Sequence, residues 1–208
     1  MLSIYHHNIT LQALGKYFTP PAMEVILAAN LGQDTLRGQI GHDEFHFDAN
    51  AFAKSRAYLE ANRDQVQPAL ERGDGPAAWR ALGRLTHAAQ DFYAHSNYIS
   101  LWLARFPTDA WPPPEEVNPL DGELLSSPAL RSGKLYYPLE ALSYIPSIKK
   151  YVLPLIPRDS HAWMNLDAPG QGPKFPYAMA AAIKRTIWEY EETVRRLPEN
   201  LAKKLAGG

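Results

Sequence analysis

The segment LGRLTHAAQDFYAHSNYI, at positions 82–99, constrains the fold of this chain more than any other. Its apolar residues recur at the spacing of an amphipathic helix, which predicts a helix over about 77–105. His87, Asp91 and His95 follow one another at intervals of four residues, so they form a stripe along one side of that helix. The sequence therefore predicts a helix that presents three metal-ligating side chains together.

Two such side chains one turn apart hold one metal ion, and the third reaches a neighbouring ion or a substrate. The alternatives are a stripe that faces solvent and a polar network that binds no ion. The stripe is flanked by apolar and aromatic side chains, namely Leu82, Leu85, Phe92, Tyr93, Tyr98 and Ile99. Two histidines and a carboxylate buried there lose their hydration and need a compensating partner. We therefore predict a buried metal site.

Composition narrows the chemistry of this site. The chain has 208 residues and no cysteine, which excludes disulfides, thiolate ligands and cysteine nucleophiles. A transition metal must then be held by nitrogen and oxygen ligands, meaning histidine, carboxylate, amide or water. The 21 basic and 22 acidic residues nearly cancel, so no overall field favours nucleic acid or an anionic membrane.

The N-terminus, MLSIYHHNITLQALG, has neither the basic region nor the apolar region of a secretory signal peptide. No stretch approaches the roughly 20 apolar residues of a transmembrane helix. We therefore expect a cytoplasmic protein, or one secreted by a route that does not depend on a signal peptide.

Helical patterns dominate the rest of the chain, and no segment alternates strictly as a strand does. Helices are expected at about 8–18, 20–32, 49–72 and 177–196, with Pro68 inside the third. The expected fold class is all-α, a single helical domain over 1–208 with long irregular loops. Two segments elaborate it: a loop at 106–134, rich in proline and acidic residues, and an apolar segment at 135–157.

Further nitrogen and oxygen ligands occur in short segments outside the central helix. They are His6 and His7 near the start, Asp34, His42, His46 and Asp48 in the loop that follows the second helix, and His161, Asn165 and Asp167 before the last helix. Each residue alone is a weak signal, because a lone histidine is usually an ordinary surface residue. Their joint occurrence in a cysteine-free chain favours a shared site.

The order of these segments resembles the superfamily of zinc-dependent phospholipases C and single-strand-specific nucleases, and most of all its HET-C (heterokaryon-incompatibility) branch with its bacterial members. The segments that carry the resemblance are HHNITLQAL at 6–14, AANLGQD at 28–34, EFHFD at 44–48, LGRLTHAAQDFYAHSNY at 82–98 and HAWMNLD at 161–167. Together they span most of the chain.

The resemblance implies a helical fold of that type with one to three zinc ions in a cleft. It assigns one part of the cluster to a first set of ligands, namely His7, Asp34, His46, His87 and Asp91. It assigns the other part to His95 and His161. Asn165 stands where the family has a carboxylate, and Asp167 is the expected substitute.

The function implied is a zinc-dependent phosphodiester hydrolase of the phospholipase C kind, acting at membranes, with Asp34, His87 and Asp91 as catalytic residues. Zinc would lower the pKa of a bound water toward ~7, and Asp34 would orient that water. A phospholipid is favoured over nucleic acid because no basic groove with stacking aromatics is evident. The apolar segment contains tyrosines and the Lys149–Lys150 pair, which suits a membrane surface.

Two other classes remain open. The first is a membrane-active toxin or a cell-death and allorecognition protein, in which the metal cluster is structural. The second is a scaffold module whose histidines bind nothing. An enzyme needs an open coordination position whereas a structural site is closed, so the metal site discriminates between them. Self-association is left open as well.

Overall fold

The computed structural model describes residues 1–39, 41–143 and 145–207. Thirteen α-helices are found within these residues. They are α1 (Ser3–Leu14), α2 (Pro20–Leu31), α3 (Leu36–Gln39), α4 (Asp43–His46), α5 (Phe52–Glu71), α6 (Gly75–His95), α7 (Tyr98–Leu103), α8 (Gly122–Leu125), α9 (Leu139–Ser143), α10 (Pro146–Val152), α11 (His161–Met164), α12 (Phe175–Arg196) and α13 (Glu199–Leu205). Extended pairing among the described residues is limited to two isolated bridges, Ser96 with Ser132 and Lys134 with Ser160. The predicted all-α class is confirmed.

Helix α6 is the central element, and α2, α5 and α12 pack around it. Its N-cap is Asp74, whose side chain accepts a hydrogen bond from the Ala77 amide. Leu82, Leu85 and Tyr93 on this helix are fully buried, and each large apolar side chain removed from water contributes about 1.5–3 kcal/mol. Because α6 is covered on several sides, its polar residues are also enclosed by protein.

The expected helix over 77–105 is divided in two by the structure. Ser96 adopts an extended conformation after α6, and its hydroxyl donates to the Phe92 carbonyl while accepting from the Tyr98 amide. Serine side chains compete in this way with the backbone bonds of a helix, which explains the break. The stripe of His87, Asp91 and His95 lies wholly before it.

The other boundaries differ modestly from expectation. Helix α1 begins earlier than predicted and ends before Gly15, and α13 was not predicted at all. Pro68 lies within α5 without ending it. The segment at 106–134 is mostly irregular and the segment at 135–157 forms short helices, as expected. Tyr144, one of the tyrosines of the apolar segment, lies outside the described residues.

Two arginines share one buried glutamate between α5 and α12. Arg63 and Arg185 both pair with Glu189, which has no exposed surface. The two guanidinium groups compensate the negative charge of this carboxylate, which is buried away from water.

Within the described residues, no helix has both the length and the apolar character needed to cross a bilayer.

Gly83 fixes the contact between α6 and α2. A Cβ atom at this position would lie 2.4 Å from the Ile26 carbonyl oxygen and 2.8 Å from the Ala29 Cβ. Helix backbones approach this closely only where one residue has no side chain.

We therefore expect Gly83→Ala to lower the free energy of unfolding by about 1–3 kcal/mol, the usual cost of overpacking a core. Alanine is a better helix former than glycine, so propensity alone would give the opposite sign. Gly32→Ala is the matched control, because its Cβ would meet nothing within 4 Å. Urea titration measures both variants, and an unchanged midpoint for Gly83→Ala would contradict this packing.

Candidate metal centre

The predicted stripe on α6 lies inside the protein. His87 and Asp91 have no exposed surface, and His95 is 5% exposed. The alternative of a solvent-facing stripe is therefore excluded for these three residues. Side chains from α1, from the chain after α2, from α4 and from the segment at 161–167 converge on them.

The first ligand group consists of His6, Asp34, His87 and Asp91, whose ligand atoms all lie within 4.8 Å of one another. His87 Nε2 is 3.1 Å from Asp91 Oδ2 and 3.7 Å from Asp34 Oδ1. His6 Nε2 is 3.0 Å from Asp91 Oδ1. Asp34 is held by the Ser3 hydroxyl, which donates to its Oδ2 at 3.0 Å. Two imidazoles and two carboxylates around one point form a set that suits a zinc ion.

His6 stands in the group where His7 was predicted. On a helix, adjacent residues point about 100° apart, and α1 turns His6 inward, whereas His7 is partly exposed, with its Nδ1 beside the Asn8 side chain. His6 Nδ1 lies 2.6 Å from Gln90 Oε1, which fixes the ring. His7 is therefore outside the cluster, and its neighbour replaces it.

His46, at the end of α4, lies between the two halves of the cluster. Its Nδ1 is 2.9 Å from Asp91 Oδ2 and 3.2 Å from His87 Nε2. Its Nε2 faces the Gly38 carbonyl at 3.3 Å, which leaves Nδ1 directed at the cluster. Because Asp91 offers Oδ2 to His46 and His87 and Oδ1 to His6, this carboxylate joins ligands from three elements.

The backbone after His46 is strained. Phe47, Ala49 and Asn50 all have positive φ values, of 57°, 53° and 58°. Non-glycine residues rarely adopt this region, and such strain concentrates at functional sites. The Ala49 amide donates to the Gly133 carbonyl at 2.8 Å, which holds the turn in place. The turn aims Asp48, which is 5% exposed, at His95, with Oδ1 3.3 Å from Nδ1.

The second ligand group contains His95, His161 and Asp167, as expected, and also Asp48. Asp48, His95 and His161 have ligand atoms within 4.8 Å of one another. His95 Nε2 is 3.1 Å from Asp167 Oδ1, and the two imidazole centroids of His95 and His161 are 4.4 Å apart. Asn165 instead donates to the His161 carbonyl, so Asp167 supplies the carboxylate on this side.

Gly133 brings His161 to the end of α6. Its amide donates to the His95 carbonyl at 3.0 Å, and the His161 amide donates to the Lys134 carbonyl at 2.9 Å. A Cβ on Gly133 would lie 2.5 Å from the His161 Cα, so only glycine fits. This close approach links residues that are far apart in the sequence.

The Met1 amino group also lies in the cluster, 2.5 Å from Asp91 Oδ1 and 3.1 Å from Asp167 Oδ1. Burial alone would lower the pKa of this ammonium, but the two carboxylates raise it to about 11. The ammonium group therefore compensates the negative charges of Asp91 and Asp167.

The histidines of the cluster differ in the direction in which the protein shifts their pKa values. Burial and the nearby His6 hold the pKa of His87 well below its usual value, so its ring is neutral. Burial would also lower the pKa of His46 and His95, but Asp91 raises both. Although burial opposes it, positive neighbours led by His95 hold the pKa of Asp91 well below its usual range. Asp91 thus favours the protonated forms of His46 and His95.

Several buried polar atoms at the cluster lack a hydrogen bond among the described residues. They are His6 Nε2, His87 Nδ1 and Asp48 Oδ1. His6 Nε2 is close to Asp91 Oδ1 but is not aligned for a hydrogen bond, so proximity there gives little stabilisation. A buried polar atom without a partner costs about 1–3 kcal/mol. A cation bound through His6 Nε2 or Asp48 Oδ1 would remove the cost at that atom, so these residues fit a metal ion. His87 faces the cluster with Nε2, so a cation there would leave its Nδ1 without a partner.

A cleft of about 340 Å³ opens beside the cluster. Its polar wall consists of Asp34, His46, Asp48, His95, His161 and Asp167, and Leu2, Leu135 and Tyr137 contribute apolar surface. Because both ligand groups reach this wall, an ion held here would remain accessible to water and small anions.

Fold and site together define a helical protein with a buried cluster of histidines and aspartates of the metal-ligating type. Residues 3–119, more than half of the chain, match the model of the VWA7 N-terminal domain family. The chain belongs to this family. The first ligand group and His46, Asp48 and His95 lie inside the matched range, whereas His161 and Asp167 lie beyond it.

Curated relatives agree with this assignment. Human von Willebrand factor A domain-containing protein 7 is 34% identical over 98 residues, which are 47% of this chain and 11% of the human protein. The rat protein of the same name is 34% identical over 80 residues, which are 38% of this chain and 9% of that protein. The chain thus matches about a tenth of the length of these relatives. No solved structure matches it significantly.

These matches correct the family and function expected from the sequence. Assignment to the HET-C branch is wrong, because the matching family is the VWA7 N-terminal domain. The prediction of a zinc-dependent phospholipase C-like hydrolase acting at membranes is wrong with it, as is the alternative of a membrane-active toxin or cell-death protein. Asp34, His87 and Asp91 accordingly lose the catalytic roles that rested on that resemblance.

Proposed function

We propose that this chain is a zinc-binding helical domain. The first ion would be held by His6, His46, His87 and Asp91, with Asp34 on the cleft side. A second ion would be held by His95, His161 and Asp167, beside Asp48. The observation that carries the proposal is the convergence of four carboxylates and five imidazoles on two adjoining ligand groups in a chain without cysteine.

Ligand chemistry supports zinc over harder cations. Magnesium and calcium prefer sites made of oxygen alone, whereas imidazole nitrogen favours zinc and its transition-metal neighbours. Three of the histidines also direct their second nitrogen at a fixed acceptor. These pairs are His6 with Gln90, His46 with the Gly38 carbonyl and His95 with the His46 carbonyl. Such outer partners are typical of metal-bound histidine.

The accessible cleft distinguishes this domain from a closed structural zinc site. An ion that keeps one position toward the cleft would exchange water for a small anion. Burial lowers the pKa of one histidine on each side, His87 and His161. The first side has the larger set of candidate ligands, because His46 adds a third imidazole there. We therefore expect tighter binding at the first group than at the second.

We expect the purified chain to bind one tight zinc ion and one weaker ion, and His87→Ala to lose the tight one. His42→Ala is the matched control, because the imidazole of His42 is 43% exposed, pairs with Glu44 and lies outside both ligand groups. Elemental analysis after dialysis, followed by zinc titration, measures both. Less than about 0.5 zinc per wild-type chain would overturn the proposal, because such sites bind tightly.

A further inference from the structure

Gln90 is a fully buried, uncharged residue of α6 that lies behind His6, outside both ligand groups. Its Oε1 is 2.6 Å from His6 Nδ1. Its Nε2 donates to the Thr10 hydroxyl at 3.0 Å and to the Thr186 hydroxyl at 3.1 Å. Helices α1, α6 and α12 thus meet at one side-chain amide.

The hydroxyl of Thr186 requires the nitrogen end of that amide. It donates its own proton to the Ala182 carbonyl at 2.8 Å, so its oxygen can only accept from Gln90. With the amide turned over, Gln90 Oε1 would face this oxygen without a proton between them. The Thr186 hydroxyl therefore favours the orientation in which Oε1 faces His6.

A second series of hydrogen bonds, which involves Asn30 on α2, requires the same orientation. The Thr86 hydroxyl donates to the Gly83 carbonyl at 3.0 Å, and its oxygen accepts from Asn30 Nδ2 at 3.2 Å. That nitrogen also donates to Gln90 Oε1 at 3.4 Å. With the Gln90 amide turned over, two amide nitrogens would oppose each other. Gln90 Oε1 is thus an acceptor, and His6 Nδ1 must supply the proton of their hydrogen bond.

The second nitrogen of His6 is therefore left for the cluster. A neutral imidazole has one proton, so a ring protonated on Nδ1 presents a lone pair at Nε2. This Nε2 has no hydrogen-bond partner among the described residues. Asp91 Oδ1, 3.0 Å away, would draw the proton to Nε2 if Gln90 did not hold it on Nδ1. The acceptor behind the ring thus decides whether Nε2 offers a lone pair to a metal ion or a proton to Asp91.

We propose that Gln90 is a positioning residue, which keeps the His6 proton on Nδ1 and so presents Nε2 to a metal ion in the first ligand group. This inference rests on the proposed zinc binding. Because the hydrogen bond from Gln90 goes to a ligand of the first ion, the second ion should be unaffected by its removal.

Zinc titration of Gln90→Met against a chromophoric chelator tests the inference. Methionine keeps the length of the side chain but removes the acceptor. We expect the affinity of the tight site to fall about 10- to 100-fold, the usual effect of removing such a partner, and that of the weaker site to stay unchanged. Gln67→Met is the matched control, because Gln67 donates to Glu71 on the surface of α5 and lies outside both ligand groups.

A second measurement follows the His6 proton directly in the wild-type chain. Long-range ¹H–¹⁵N spectra of the zinc-loaded protein should show His6 protonated on Nδ1 and metal-bound through Nε2. A proton on Nε2, or a ring that binds no metal, would overturn the inference. In zinc-free Gln90→Met, the proton should move to Nε2, beside Asp91.

The titration also separates this inference from the proposed function. Unchanged zinc affinities in Gln90→Met would overturn the inference and leave zinc binding intact. An equal loss of affinity at both sites would overturn it too, because Gln90 would then support the fold and not His6. Absence of any zinc binding by the wild-type chain would instead overturn the proposed function, and this inference with it.

Discussion

Asp91→Asn is expected to abolish zinc binding at the first ligand group and to weaken it at the second. The two oxygens of Asp91 contact His46 and His87 on one side and His6 and the Met1 amino group on the other. Asparagine keeps the shape but not the charge, and its amide nitrogen directs protons at nitrogens that need an acceptor. The tight affinity should fall by at least about 100-fold, since a ligand is lost rather than an outer partner.

The same substitution should destabilise the metal-free protein. Removing one partner of a buried ion pair leaves the other charges uncompensated and typically costs about 3–5 kcal/mol. Asp91 compensates the charge of a buried ammonium and of the two histidines whose pKa it raises. The free energy of unfolding should therefore fall by an amount in that range. Urea titration at pH 7 without zinc measures it. Asp64→Asn on the exposed side of α5 is the control.

Full zinc occupancy in a folded Asp91→Asn protein would contradict the central place given to this carboxylate. Should the variant fail to fold, Asp91→Glu provides a second test. It keeps the charge but moves the oxygens by about one carbon–carbon bond, so the fold should survive while zinc affinity falls. An unaltered zinc affinity in Asp91→Glu would also contradict the placement of both Asp91 oxygens among the ligands.

The central helix and its stripe were readable from the sequence because both depend on local spacing. A four-residue interval places His87, Asp91 and His95 on one face wherever the helix packs. Burial of that face followed from its apolar flanks. The break at Ser96 was missed, because the side-chain hydrogen bonds that end α6 compete with a helical pattern that itself continues to residue 103.

The remaining ligands were harder to predict because they depend on which face of a short element turns inward. His6 and His7 are adjacent, and the packing of α1 against α12, α2 and α6 decides which of them turns inward. Asp48 was noticed but not assigned, because nothing local announces the left-handed turn at 47–50 that aims it at His95.

The family assignment failed for a related reason. Histidine and aspartate in a given order indicate a metal cluster, but many proteins bind metal with the same residues. Function follows from the particular site and not from the ligand types alone. The motifs at 82–98 and 44–48 lie within the range matched by the VWA7 N-terminal domain family, so they carry no preference for a phospholipase.

Zinc binding is expected to strengthen steeply as the pH rises from 6 to 8. Before a metal ion binds, His46 and His95 must lose the protons that Asp91 helps them keep, whereas His87 is already neutral. Each displaced proton makes affinity improve about tenfold per pH unit while the histidine is charged in the metal-free protein. His46 is a ligand of the first ion and His95 of the second, so each site should gain about tenfold per pH unit. Calorimetry in buffers of different ionisation enthalpy counts these protons.

The stability of the metal-free protein should change in the opposite direction. His46 and His95 have pKa values raised by folding, so their contribution is complete below the unfolded value of about 6.5 and is lost as the pH rises through the folded values. The metal-free protein should therefore unfold at a lower temperature at pH 8 than at pH 6, while the shift produced by zinc grows. His46→Gln should release one proton fewer than the wild type on binding zinc. Parallel pH profiles with and without zinc would show that protons and metal do not compete for these nitrogens.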